Sequence, residues 1–265
     1  MDKVVPSAAE AVADVADGAT LAVGGFGLCG VPFGLIEALL TQGASGLTTI
    51  SNNCGVDDQA LGVLLYAGRI SKTISSFVGG NKELARLYLS GRLEVELTPQ
   101  GSLAERLRAG GTGIPAFYTP TGVGTLVAEG GIPARYDADG NVVATSPPKE
   151  VRRFGDTDYV LETALTADFG LVRAAVGDRH GNLVFAASAR NFNPLAAMAG
   201  RVTIAEVERL VEPGEIPPGQ VHLPGVHVQR VVAVPDAARP IEKHTTRPRR
   251  APGAPAAAGD ETTEA

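Results

Sequence analysis

The chain has no tryptophan, and its eight Phe and five Tyr make up 5% of its 265 residues. Surfaces that grip sugars or stack on nucleobases are built from such rings, so a lectin-like or base-stacking role is disfavoured. Positive charge is also in deficit. Twenty-three Lys and Arg against 29 Asp and Glu leave a net charge of -6, which offers no footprint for DNA or RNA. Cysteine is scarce, and the spacing of Cys29 and Cys54 matches no metal site. Both are expected to be reduced thiols, and neither is the expected nucleophile. The four histidines are dispersed, at 180, 222, 227 and 244, and no bound metal is expected. There is no run of about eighteen apolar residues, and the opening "MDKVVPSAAEAV" lacks a signal-peptide core. The expectation is a soluble, cytoplasmic protein that works on small molecules, with no nucleic-acid or membrane partner.

What the chain does have is glycine and proline, 33 and 18 residues, spread through a helix and strand alternation. "SAAEAVADVADG" opens on a capping box, Ser7 with Glu10, and Gly18 suits a left-handed stop. "TLAVGG" reads as a buried strand, "PFGLIEALLTQG" as a helix and "LTTIS" as the next strand. "DQALGVLLYAG", "KTISSF", "KELARLYLSG", "EVELT" and "SLAERLRAG" continue the series, so a mostly parallel open sheet with crossover helices is predicted. Between 110 and 155 the pattern breaks into Gly, Pro and isolated polar residues, with a hairpin turn at "YDADGNVV". A structureless stretch this long reads as a lid or partner-facing excursion. "YVLETAL", "FGLVRAAV" and "NLVF", a helix after Pro194, and "VTIAEVE" and "VHVQRVVAV" complete one domain over 1–235. Residues 236–265, ending "RPRRAPGAPAAAGDETTEA", have nothing to bury and are expected to be a disordered tail.

The chemistry-bearing motif is "VGGFGLCGVP", which brings Gly24, Gly25, Phe26, Gly27 and Gly30 directly after a predicted strand. Gly25, Gly27 and Gly30 can be laid on a dinucleotide fingerprint, yet "SNNCG" stands where that motif needs an acid, and no Gly-Lys-Ser/Thr makes it a P-loop. A plain tight turn remains open. Asn52 and Asn53 follow the second strand and Gln100 begins a helix after "ELTP", so all three belong to the sheet edge where open α/β proteins bind ligands. Neutral amides do not titrate. They orient an acyl group or an oxyanion, or they merely cap turns.

These residues carry a resemblance. Asp17 through Gly24, Gly25, Phe26 and Gly30 to Pro32, joined by "SNNCGVD", "ELTPQGSLAERLRAGGTGIPAFYTPTGVGT", "GDRHGNLVF" and "ARNFNP", resembles the A subunits of the type I CoA-transferases over about residues 3–234. The resemblance implies a three-layer α/β/α sandwich similar to that of ribose-5-phosphate isomerase. It also implies a heterodimer or heterotetramer with a B subunit that carries the nucleophilic glutamate. A CoA thioester would be a substrate, with no permanent cofactor. The implied reaction moves CoA from succinyl-CoA to a 3-oxo acid such as acetoacetate; 3-oxoadipate or a short-chain acid such as acetate or butyrate is the alternative acceptor. Asn52 and Gln100 would then lie near the thioester or carboxylate, and Gly24, Gly25 and Gly27 would shape the pocket and interface. The glutamates read as members of helices or strands, so no catalytic residue is expected in this chain.

Overall fold

The computed structural model describes residues 1–235 and Pro240; the expected tail, Pro240 aside, lies outside the described residues. In chain order the first half runs α1 (Ala8–Ala11), β1 (Thr20–Val23), α2 (Phe33–Gln42), β2 (Leu47–Asn53), α3 (Leu61–Tyr66), β3 (Ile70–Phe77), α4 (Lys82–Leu89), β4 (Glu94–Leu97) and α5 (Gln100–Gly111). It is the predicted alternation. Next come β5 (Ala116–Thr119), α6 (Leu126–Glu129), β6 (Pro133–Tyr136), β7 (Val142–Thr145), β8 (Val151–Phe154) and β9 (Thr157–Thr163). The chain closes through β10 (Ala167–Asp178), β11 (Leu183–Val184), α7 (Asn193–Ala199), β12 (Gly200–Val211) and β13 (Arg230–Ala233).

The main sheet has the order β13-β12-β10-β1-β2-β3-β4, with β11 added antiparallel to β10 and every pairing along that path parallel. Its core follows from side-chain alternation. Leu21 and Val23 of β1 and Leu171 of β10 join Leu35, Ile36, Leu39, Leu64 and Leu84 on one face, so α1 to α4 pack there. Ala22, Ile50, Val172 and Ala174 point the other way, onto Leu103 and Leu107 of α5 and Ala196 and Ala197 of α7. Small residues bring α7 close. A Cβ on Gly170 would lie 2.7 Å from both the Ala196 carbonyl oxygen and Thr203 Oγ1. The three-layer α/β/α sandwich is therefore built by a sheet covered on both faces, which is why its strands read as apolar runs.

Three local expectations are corrected. The stretch 110–155 is not structureless: β5, β9 and β8 form a three-stranded antiparallel sheet, and β6 and β7 a hairpin whose turn runs through Gly140 at φ +85°. The first helix is one short turn. Its Ser7 cap accepts from the Glu10 amide at 3.2 Å, but Glu10 returns only to the Ser7 hydroxyl, and Arg230 takes the Ala11 carbonyl at 2.7 Å and both oxygens of Asp14. That bond fills the carbonyl a longer helix would have used. "VHVQRVVAV" is likewise strand only from Arg230, after a 3-10 turn over Gly225–His227. Among the described residues no helix is long and apolar enough to cross a membrane.

Candidate functional site

The strand order reverses around β1, which lies between β10 and β2. The glycine loop that follows β1 therefore sits at the switch point, the place in an open parallel sheet where helices leave in opposite directions and a crevice opens. β2 ends on Asn52 and Asn53, and Gln100 is the first residue of the helix after β4, so the predicted residues do share one edge.

They are also bonded to one another. Gln100 Nε2 donates to Asn52 Oδ1 at 2.6 Å, and Ser76 Oγ donates to the same oxygen at 3.0 Å. Asn52 Nδ2 donates to Asn53 Oδ1 at 3.2 Å, and that oxygen also accepts from the backbone N–H of Gly27 at 2.9 Å. Asn53 Nδ2 donates in turn to the Gly55 carbonyl at 3.3 Å. The result is one chain of amides from α5 across β2 to the tip of the glycine loop. Asn52 is buried at 3% exposure, whereas Gln100 is exposed, so the chain is anchored at its centre and open to solvent at one end.

The loop needs its glycines for two separate reasons. Gly25, Gly27 and Gly30 have φ of +119°, +57° and +75°, in the region that a side chain disfavours. Gly24 instead makes room: a Cβ there would lie 2.0 Å from Asn193 Oδ1. Between them Phe26 and Cys29 exchange backbone hydrogen bonds of 3.0 and 2.9 Å, closing a small turn that leaves Phe26 half exposed. A second loop, after β2, repeats the design. Val56 and Gln59 form the matching bridge, Gly55 has φ +69°, and Ala60, where the first loop has Gly30, is held at φ +55°. A non-glycine in that region stores strain, which marks this edge as tightly specified.

Sequence reasoning missed the residues that lock the loop from behind. Asn193, fully buried at the start of α7, donates from Nδ2 to the carbonyls of Gly30 and Ala189 at 2.9 and 2.8 Å, and its Oδ1 accepts from the Arg173 amide at 2.9 Å. Asn191 Nδ2 donates to the Cys29 carbonyl at 2.9 Å. Both lie in the quoted "ARNFNP" stretch. The asparagines before Pro194 were the available signal, but nothing in spacing says that they reach back about 160 residues in the chain.

The cleft between the two loops is tiny, about 10 Å³, and lined by Gly24, Gly25, Gly27, Ser51, Asn53 and Ala60. No substrate of any size is enclosed there. Phe26, Phe77 and Leu97, at the C-terminal ends of β1, β3 and β4, stay 50%, 56% and 38% exposed, so the edge is an open apolar rim around an amide chain. A larger cavity, about 480 Å³, lies elsewhere, between β4 and the antiparallel excursion. Its walls carry a balanced ion network: Arg106 with Glu96 at 2.8 Å and Glu162 at 3.8 Å, Lys149 with Glu162 at 2.6 Å, and Lys72 with Glu94 at 2.8 Å.

Comparison with known proteins decides what this edge belongs to. A family-wide sequence model described as coenzyme A transferase matches residues 5–234. The chain belongs to the coenzyme A transferase family. It is 64% identical over 247 residues to a Mycobacterium tuberculosis protein named as the probable A subunit of succinyl-CoA:3-ketoacid coenzyme A transferase, covering 93% of this chain and 100% of that one. It is 49% identical over 238 residues to the mitochondrial succinyl-CoA:3-ketoacid coenzyme A transferase 2A of Rattus norvegicus, covering 90% of this chain but 46% of the relative. Among solved structures, the acyl-CoA transferase apoenzyme of Escherichia coli superposes with a TM-score of 0.75 at 26% identity, over 90% of this chain and 48% of that one. The chain thus spans all of the mycobacterial relative and about half of the rat and Escherichia coli proteins.

Within this coenzyme A transferase chain the reactive groups near the edge are few. Burial in the apolar floor of the second loop pushes the Cys54 thiol up to about 11, so it is not a thiolate at neutral pH. Among the described residues no three His, Cys, Asp or Glu gather to hold a metal. The reading of every glutamate as helical or strand-borne is corrected: Glu150, Glu212 and Glu215 lie in loops and are exposed. Two of them are remote. Val23 pairs Leu171, which pairs Ile204, so Val211 lies seven residues, or about 23 Å, past the end of β1. There Glu215 Oε2 accepts from the Glu212 amide at 2.7 Å and fixes its own turn, while Glu150 is bonded to Tyr118 at 2.5 Å in the excursion.

Proposed function

We propose that this chain is the A half of a succinyl-CoA:3-oxoacid CoA-transferase and works only with a B chain that carries the nucleophilic glutamate. The observation that carries this is the pairing of an ordered amide chain with an uncovered edge. Gln100, Asn52, Asn53 and Gly27 form a polarising surface whose hydrogen bonds involve no carboxylate, and no cavity encloses it. A carboxylate attacking a thioester carbonyl puts charge on the carbonyl oxygen, and donors fixed in advance stabilise that charge without reorganising. Gln100 Nε2 has two N–H bonds, one of which is spent on Asn52 and fixes the amide plane; the other is left for a bound acyl group. Thiolate leaves as the carboxylate adds, then returns to the glutamyl carbonyl, and the released acid departs. The enzyme thioester hands CoA to the acceptor acid by the same two steps in reverse.

Two further facts support the reading. The apolar rim of Phe26, Phe77 and Leu97 is exposed in the chain alone, as a face awaiting a partner would be. The mitochondrial relative is about twice as long, so in it a second segment of comparable length accompanies the matched one. The substrate is a CoA thioester that comes and goes, with small carboxylic acids as donor and acceptor, and a reducing cytoplasm suits two free thiols. The excursion over 110–155 belongs to the same interface in this reading. A deciding experiment purifies the chain alone and together with the product of a neighbouring open reading frame of B-chain type, and follows acetoacetyl-CoA formed from succinyl-CoA and acetoacetate. Turnover is expected only in the mixture, and turnover by the chain alone would overturn the proposal. Acetate, butyrate and 3-oxoadipate as competing acceptors read out specificity, and hydrogen exchange over Thr112 to Thr125 should slow on assembly.

A further inference from the structure

The glycine loop leads into α2, and the cap of that helix is not local. Pro32 holds the N-cap position and offers no side-chain hydrogen bond. The four first amides of a helix need acceptors when buried. Glu206 supplies one from the far side of β10: its Oε2 accepts from the Leu35 amide at 3.0 Å, and Gly34 lets it approach, since a Cβ there would lie 3.0 Å from the same oxygen. The carboxyl is 1% exposed, and its other oxygen, Oε1, is buried without a hydrogen bond, with Arg173 Nε at 3.8 Å. Arg173 is in turn the residue whose amide Asn193 holds while it binds the Gly30 carbonyl. The loop is thus pinned at Gly30 by Asn193 and just beyond its exit by Glu206, and both pins meet at Arg173.

We propose that Glu206 is a positioning residue for the glycine loop, setting from β12 where the loop ends and thereby where Gly27 meets the amide chain. This rests on the reading of that loop as part of the transferase site. An ionised carboxylate is the better acceptor for the helix amides and is favoured by the positive end of the helix dipole, so the loop is held hardest when Glu206 is charged. Burial pushes the carboxyl up to about 7, opposed by the Leu35 and Gly34 amides and by Arg173, and helped by Glu208. The hold is therefore expected to strengthen as pH rises through that value.

The test compares the reconstituted two-chain complex carrying wild-type chain, Glu206→Gln and Glu206→Ala. Turnover and KM are followed from about pH 6 to about pH 8.5, with hydrogen exchange of amides 25–36 corrected for intrinsic rate. Glu206→Ala should lower kcat about tenfold or more with KM for succinyl-CoA within about threefold. Glu206→Gln, which keeps an acceptor but no titration, should recover most of that loss and show neither the rise in turnover through pH 7 nor the accompanying gain in loop protection. A merely structural residue would change yield or melting and leave both pH dependences in place. A Gln variant with the wild-type pH profile and pH-dependent protection overturns the inference, as does an Ala variant with wild-type kcat. If the Ala variant does not fold, the Gln variant and the exchange data decide alone. A wild-type complex without turnover sinks the transferase reading instead, and the exchange comparison still tests the role of Glu206.

Discussion

Gln100 is the residue at which the amide chain reaches solvent, so it is the first place to look for a direct effect on chemistry. Removing its amide in Gln100→Ala deletes the donor to Asn52 at 2.6 Å and, in the proposed reading, the group offered to a bound acyl carbonyl. If the amide meets developing charge, the loss is about 1.5–3 kcal/mol, or roughly ten- to two-hundredfold in kcat. Assembly with the B chain should be unchanged, and steady-state kinetics on the complex checks both. Gly25→Val fails for a different reason. At φ +119° a β-branched residue is strained, and its Cβ would lie 2.5 Å from Val31 Cγ2, so the loop must open before any ligand arrives. Activity should vanish, with far-ultraviolet circular dichroism close to wild type. The obstacle is a neighbour six residues on, Val31, which the glycine pattern in the sequence does not reveal.

The elements that were legible in the sequence are those buried on both faces. β1 to β4 and α2 to α5 announce themselves by apolar residues at the core positions of each, because the sheet is covered from both sides; the polar residues that its inner strands bury, among them Thr49, Thr73, Arg173 and Glu206, follow no such pattern. In the excursion only the hairpin turn at "YDADGNVV" was legible, and it joins β6 to β7; the rest was illegible for the opposite reason. β8 is exposed at all four residues, and β7 at three of four, so no face is buried and no period is written into the sequence. Its fold is held from below by charge. Glu162 of β9, 2% exposed, joins Lys149 to Arg106 and through it to Glu96 of β4, while Tyr88 donates to the Pro133 carbonyl at 2.6 Å. Glu162→Gln would leave two cations at a buried point facing a neutral amide, a loss of about 3 kcal/mol. Exchange in β5, β8 and β9 should accelerate, with β1 and β10 little changed; uniform acceleration everywhere would show that the network supports the whole domain instead. The asparagines at 191 and 193 and the acid at 206 were illegible in yet another way, since each acts across more than 160 residues of chain.

At the scale of the whole molecule, one buried acid contributes a distinct part of how stability responds to pH. Glu206 has its pKa raised from 4.5 to about 7, foremost by burial. The folded chain therefore binds a proton between those values that the unfolded chain has already released. The sign follows from linkage: stability associated with this group is full below about pH 4.5, declines as pH rises, and levels off above about pH 7. The shift corresponds to about 3 kcal/mol. Asp14, Glu83 and Glu105, paired with Arg230, Arg86 and Arg108, have lowered values and act in the opposite sense, losing their contribution only as pH falls below the ordinary carboxylate range. They are common to wild type and Glu206→Gln, so the difference between the two unfolding curves isolates Glu206. Urea titrations at pH 5, 6, 7 and 8 should show wild type losing stability relative to Glu206→Gln up to about pH 7 and running parallel to it above. A constant difference across that range would mean that Glu206 titrates as an ordinary carboxylate, and the same result would remove the charge change through which the glycine loop is expected to tighten. A decline of the expected size makes the loop's firm hold costly to the fold above about pH 7, which is the pattern of a residue kept for the site and not for stability.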